Sequence, residues 1–283
     1  MRTSLEPEHL AKAITGQTGL EFEAETGVDA DGQRWYMLRP RGLLSDHTFG
    51  IRTTLQWRRL RIEFEPGKFA GSLLEDMGNA EAEGRSAFLA VLADSRRLGA
   101  QIDLEINGVR FEFDDENVWS QNWNRLLFSM NKGQLELGTD EGEPDAQIVC
   151  QWTVRFSAGV VAILPTEEVV ENTESEVVGY PEGSVVSVKA NRYERDKRNR
   201  AAAIAIHGTA CKGCGLEMGM RYGSLASGYV EVHHVTPVSE LGAGYIIDPA
   251  RDLVPLCPNC HAVVHRRNPP LTVSELHVLM AEA

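Results

Sequence analysis

The chain has 283 residues, enough for one large or two modest domains. Apolar residues make up 42% and charged residues 24%, which excludes wholesale disorder. No run reaches the ~20 apolar residues of a membrane span, and the opening MRTSLEPEHLAKAITG lacks the apolar stretch of a signal peptide. The expected compartment is therefore the cytoplasm, with no membrane partner.

The net charge of −13 hides an asymmetry. Residues 1–185 hold 17 Lys and Arg against 32 Asp and Glu, whereas residues 186–283 hold 11 against 9 and six of the eight histidines. Such a contrast favours two domains. The fold class expected is α+β: a mixed α+β domain over 1–165, an acidic linker over 166–182 and a second domain over 183–283. The linker, TEEVVENTESEVVGYPE, has six glutamates and no basic residue, as solvated connectors do.

Within 1–165, QRWYML (33–38) and the run 49–64 carry the β-branched and aromatic residues that strands favour. Phe88, Leu89, Val91, Leu92 and Leu98 recur at helical spacing across 80–98. Asn107-Gly108 between QIDLEI and VRFEF predicts a tight hairpin over 101–113. Residues 148–164 predict a final long strand or strand pair. All five tryptophans lie in this domain. Packing explains most of them, with Trp119 and Trp123 as the better candidates for an exposed role. Trp57-Arg58-Arg59-Leu60-Arg61 reads as a solvated strand face, with phosphate contact as the alternative.

The second domain carries the chemistry. Cys211 and Cys214, then Cys257 and Cys260, form two C-x-x-C pairs, and two such turns project four thiolates toward one point as a tetrahedral zinc site requires. Cys150 stands apart as a small core hydrophobe. Between the pairs, GYVEVHHV predicts a short strand ending in His233-His234. His261 and His265 are four apart, so a helix there turns both imidazoles to one face, as a shared metal needs. Residues 189–200, KANRYERDKRNR, hold six basic side chains ahead of an apolar helical run. Arg192, Arg195, Arg198 and Arg200, with Arg266 and Arg267, are candidate phosphate contacts, the alternative being solvated faces. His207 reads as a helix-end residue, and Thr272-Val-Ser-Glu275 as a capping box opening a last helix.

The stretch EVHHVTP...DLVPLCPNCHAVVH resembles the HNH, or ββα-metal, nuclease signature. The wider segment 183–277 is similar to the nuclease part of McrA-type restriction endonucleases, which cut modified DNA. The resemblance implies a ββα-metal (HNH) domain with a four-cysteine zinc site bracing it. It further implies His234 as general base, His233 and His261 as ligands of a catalytic divalent ion, and His265 as the third. Asp252 stands where the family has its central asparagine, which orients the base and braces the loop. The ion implied is Mg²⁺, Mn²⁺, Ni²⁺ or Co²⁺. The function implied is a DNA endonuclease restricting foreign, modified double-stranded DNA, for instance with methylated cytosine, acting as a homodimer that forms on DNA if not before. The first domain would read the base. Alternatives are an antiviral effector gated by a small molecule or protein, a nicking or homing-type nuclease reading unmodified sequence, and a zinc-bearing DNA-binding protein without catalysis.

Overall fold

A computed structural model describes residues 5–137, 145–165, 197–236, 245–267 and 269–282. Helix α1 (Pro7–Thr18) leads into β1 (Phe22–Val28), β2 (Arg34–Pro40), β3 (Phe49–Gln56) and β4 (Arg59–Pro66). After α2 (Gly71–Gly78) and α3 (Ala82–Arg97) come β5 (Ala100–Ile106), β6 (Val109–Phe111) and β7 (Leu126–Lys132). These strands form one antiparallel sheet in the order β1-β2-β3-β4-β7-β5-β6. The expected helix and Asn107-Gly108 hairpin are both present, Asn107 and Gly108 each taking positive φ as a two-residue turn prefers.

Period-two alternation divides the sheet into two faces. Leu60, Ile62 and Phe64 of β4 point into a core shared with α1, α3 and α4 (Asp145–Ala162), where Phe128 stacks on Phe156 at 4.5 Å. The other face carries charged ladders, with Arg61 2.9 Å from Glu63 and Arg39 3.8 Å from Glu25. Arg61 thus belongs to a solvated strand face.

Residues 148–164 correct the expectation of a strand. They lie almost wholly in α4, an 18-residue helix with 13 buried residues. A helix packed against the sheet on one side and other helices on the rest is apolar all round, so it shows no helical period, and its β-branched residues imitate a strand. Thr153 of α4 meets Thr53 of β3 at 2.9 Å, pairing two hydroxyls inside the core. Trp123 also departs from expectation. It is 1% exposed, its indole N–H donates to the Val118 carbonyl at 2.9 Å, and it stacks on Trp119. The tryptophan that faces solvent is Trp57, 89% exposed at the β3–β4 turn.

The second unit begins with α5 (Lys197–His207), followed by α6 (Met218–Tyr222), β8 (Glu231–His234), β9 (Leu253–Leu256), α7 (Pro258–Val264) and α8 (Val273–Ala281). Helix α5 serves both units. Ala201, Ala202 and Ala205 join the first core, while Ala203 and Ile204 pack on Val230, Val232 and Leu253. Alanines on both sides let the neighbouring elements approach the helix closely. Arginines also tie α5 to the first unit. Arg155, paired inside the first unit with Asp94 at 2.5 Å and both 7% exposed, donates to the Ile206 carbonyl of α5 at 3.5 Å. Arg198 is buried, with its guanidinium 3.3 Å from Glu81, so it fastens α5 to the first unit and does not lie open to phosphate as expected. Arg200 donates to the Val230 carbonyl at 3.0 Å. The expected linker over 166–182, Arg192 and Arg195 lie outside the described residues. Among the described residues no helix is long and apolar enough to cross a membrane.

Candidate metal centres

The β8–β9 hairpin pairs Glu231 with Leu256, His233 with Val254 and His234 with Leu253. Alternation along β8 sets Glu231 and His233 on one face, Val232 and His234 on the other. Val232 faces α5, so His233 faces α7. Helix α7 has Pro258 in its first turn and is capped by the Cys257 sulfur, which accepts the Cys260 N–H. One helical turn then separates His261 from His265 and brings both against His233. Ring centroids lie 5.4 Å apart for His233–His261, 4.9 Å for His233–His265 and 4.7 Å for His261–His265. One ligand atom from each lies within 4.8 Å of the other two, a spacing that one ion can draw together.

Glu231 was not singled out in the sequence. Its carboxylate accepts from His261 Nδ1, which fixes the ring tautomer and leaves Nε2 as the lone-pair donor. The signal was available, because E-x-H on a strand puts carboxylate and imidazole on one face. Asp252 lies just before β9. Its Oδ2 accepts from the Tyr245 hydroxyl at 2.9 Å and the Asp248 N–H at 2.8 Å, and its carbonyl accepts from the Val235 N–H at 2.8 Å. These bonds brace the loop into β9, and the carboxylate beside it holds the Tyr245 phenol above its ordinary pKa.

A second cluster lies behind the hairpin. Cys211, Cys214, Cys257 and Cys260 have sulfurs within 4.8 Å of one another, with Cys214 and Cys257 at 3.8 Å. Each pair forms a turn in which the first sulfur accepts the N–H three residues on, at 3.5 Å. Burial opposes ionisation of Cys211, but the N–H groups around it and the Cys214 thiol outweigh that and bring it to about 7. Burial and the neighbouring sulfurs push Cys257 and Cys260 up. Four thiols this close cannot all ionise without a cation, so the donor set fits a bound metal. A side chain at Gly213 would come within 3.1 Å of the Cys260 sulfur, which explains the glycine in this knuckle. Helix α8 closes over it through Leu276 and through His277, whose Nε2 lies 2.8 Å from the Lys212 carbonyl. Its capping box is formed as expected, and Arg267 pairs with its Glu275 at 2.5 Å while Arg266 is exposed.

Residues 211–267 match the HNH endonuclease family. The carboxyl-terminal unit is an HNH domain. A stretch of 89 residues is 37% identical to the type IV methyl-directed restriction enzyme EcoKMcrA of Escherichia coli (strain K12), covering 30% of this chain and 30% of that enzyme. The chain thus matches less than a third of the length of this curated relative, and the resemblance rests on the HNH domain. No solved structure matches the chain. His207, at the end of α5, has Nε2 3.2 Å from the Pro249 carbonyl and stands outside the three-histidine cluster. Cys150 packs on the first core, where burial raises its thiol to about 11.

Proposed function

We propose that this protein is a DNA endonuclease that hydrolyses phosphodiester bonds, with selectivity supplied by the sheet-and-helix unit. The observation that carries the proposal is the convergence of His233, His261 and His265, with His234 next along the same strand. A structural metal knuckle alone does not need these imidazoles. His233, His261 and His265 would hold a divalent ion, and Glu231 would keep His261 aligned. His234, on the other strand face, stays outside the ligand set and is the group to take a proton from the attacking water, since a neutral imidazole is a base at physiological pH. Asp252 would keep the loop beside it in place. When bound, the ion supplies Lewis acidity at phosphate and stabilises the departing 3′ oxygen. Imidazole ligation favours Mn²⁺, Co²⁺ or Ni²⁺ over Mg²⁺ in binding strength. Zn²⁺ suits the four cysteines.

By analogy with the methyl-directed relative, the substrate would be double-stranded DNA carrying modified cytosine, cut as a defence against foreign DNA. Cutting both strands needs two sites, so a homodimer on DNA follows. Helix α5, shared by both units, favours a second reading in which a signal sensed by the first unit gates the HNH domain.

The test is plasmid cleavage by wild type and His234→Ala. The substrates are unmodified, 5-methylcytosine and 5-hydroxymethylcytosine DNA, each with Mg²⁺ or Mn²⁺. Wild type should cut the modified substrates, and the variant should lose about 10²- to 10⁴-fold in rate with its metal content intact. Equal cutting of all three discards modification dependence. Full activity in the variant discards His234 as the base.

A further inference from the structure

The two hairpins of the large sheet solve the same problem with opposite residues. Between β5 and β6 the two-residue turn is Asn107-Gly108, the pair that positive φ favours. Between β3 and β4, where Gln56 pairs with Arg59, the turn is Trp57-Arg58, and Arg58 is forced to φ 56°. A positive φ on a long side chain is strained, and strained residues collect at functional sites. Gln134, with φ 59°, stands beside it, so two of the three non-glycine residues with positive φ among those described line one place. The tip is also held in position, because the Leu135 N–H donates to the Arg58 carbonyl at 3.1 Å.

This tip walls a hollow of about 720 Å³ whose lining includes Gln33, Gln56, Trp57, Arg58, Arg59 and Gln134. Among the described residues that line it, none carries a carboxylate. Trp57 is 89% exposed and has the Arg58 guanidinium 5.9 Å from its ring centroid. An indole face offers stacking to any base, arginines neutralise phosphates, and glutamine amides pair with base edges. The ligand chemistry is therefore a nucleobase flanked by phosphates. A site for a free nucleotide would enclose most of its ligand, whereas Trp57 projects from a turn. We infer that the Trp57-Arg58 hairpin is a DNA-contacting wedge, with Trp57 stacking on a base of the duplex and Arg58 and Arg59 on its phosphates. The inference rests on the reading of the HNH domain as acting on DNA.

The test is binding of the full-length protein to short duplexes, unmodified and 5-methylcytosine-bearing, measured in a His234→Ala background so that the DNA stays intact. Trp57→Ala should weaken binding about tenfold, the scale of one stacked base, while Trp57→Phe keeps most of it. Arg58→Ala with Arg59→Ala should flatten the dependence of log K on log salt by roughly 0.9 for each phosphate lost. Thermal melting should not change, because the side chain of Trp57 is exposed. DNA binding that Trp57→Ala leaves intact overturns the wedge and spares the nuclease reading. Competition for the site by free mononucleotides overturns it in favour of a small-molecule sensor. Failure of the wild-type protein both to bind and to cut any duplex overturns both.

Discussion

Around Phe88, Phe128 and Phe156 the first unit buries one continuous apolar core, fed by the sheet and the helices packed over it. Around Cys257 the HNH domain buries six residues, three of them cysteines, and its other small core borrows Ala203 and Ile204 from α5. A segment this short removes too little apolar surface from water to offset its chain entropy, so it shares a helix with the first unit, and its four cysteines are the donor set by which a bound metal would cross-link it. The first unit is held by its packing, whereas the second leans on the first and would gain cross-links from metal bound at its two donor clusters. Placing functional groups on the second kind of scaffold makes their geometry depend on metal occupancy.

Removing a ligand of the knuckle is the strongest way to break this contrast. Cys257→Ser should strip the cysteine-bound metal, losing a binding term on the order of 10–16 kcal/mol that also drives folding. Metal analysis should show the loss, and limited proteolysis should open the chain beyond α5. The tryptophan emission, which comes from the first unit, should stay put. A tryptophan shift in step with metal loss would show that the two units unfold as one body.

Next in size is Asp94→Ala, which leaves the Arg155 guanidinium buried without its carboxylate. Denaturant unfolding should show a loss of about 3–5 kcal/mol with metal content unchanged. A change below about 1 kcal/mol would mean that water reaches Arg155.

Glu231→Gln tests the histidine cluster separately. Without the charged acceptor for His261 Nδ1, affinity for Mn²⁺ or Ni²⁺ at that site should fall about 10- to 100-fold in a calorimetric titration. The knuckle and the first unit should not respond. Unchanged affinity would reduce Glu231 to a surface carboxylate.

The smallest expected effect is at the seam. Burial lowers the pKa of His207 from 6.5, against the smaller raising effect of the Pro249 carbonyl. Below 6.5 the unfolded chain therefore binds a proton that the folded chain resists, so stability falls as pH falls through that value toward the lower folded one. His207→Gln should make the melting temperature less sensitive to pH in this window. An unaltered slope would place the titration elsewhere.

The candidate metal-ligand pairs were legible because each is fixed by local geometry. A C-x-x-C turn and a pair of histidines one helical turn apart need only a few residues to set their directions. Glu231 follows the same rule, since E-x-H on β8 sets its carboxylate on the face of His233. Helix α4 was not legible, since its apolar circumference records what surrounds it and not its own period. Arg198 looked like part of a basic face and is buried, because Glu81, 117 positions away in sequence, comes to meet it. Trp123 is buried for a similar reason, its indole ending under the Val118 carbonyl, whereas Trp57 is exposed as its solvated stretch predicts but sits on a turn and not on a strand face.

By itself the sequence determined the α+β class from local strand and helix patterns, and the Asn107-Gly108 turn, the α8 cap and the candidate donor pairs Cys211–Cys214, Cys257–Cys260 and His261–His265 from contacts within a few residues. Tertiary structure alone decided that α5 lies in two cores, that Asp94 and Arg155 join across 61 positions, and that one hairpin tip presents Trp57 and Arg58 to solvent. Those outcomes depend on which surfaces meet when the chain collapses, and no local pattern encodes that meeting.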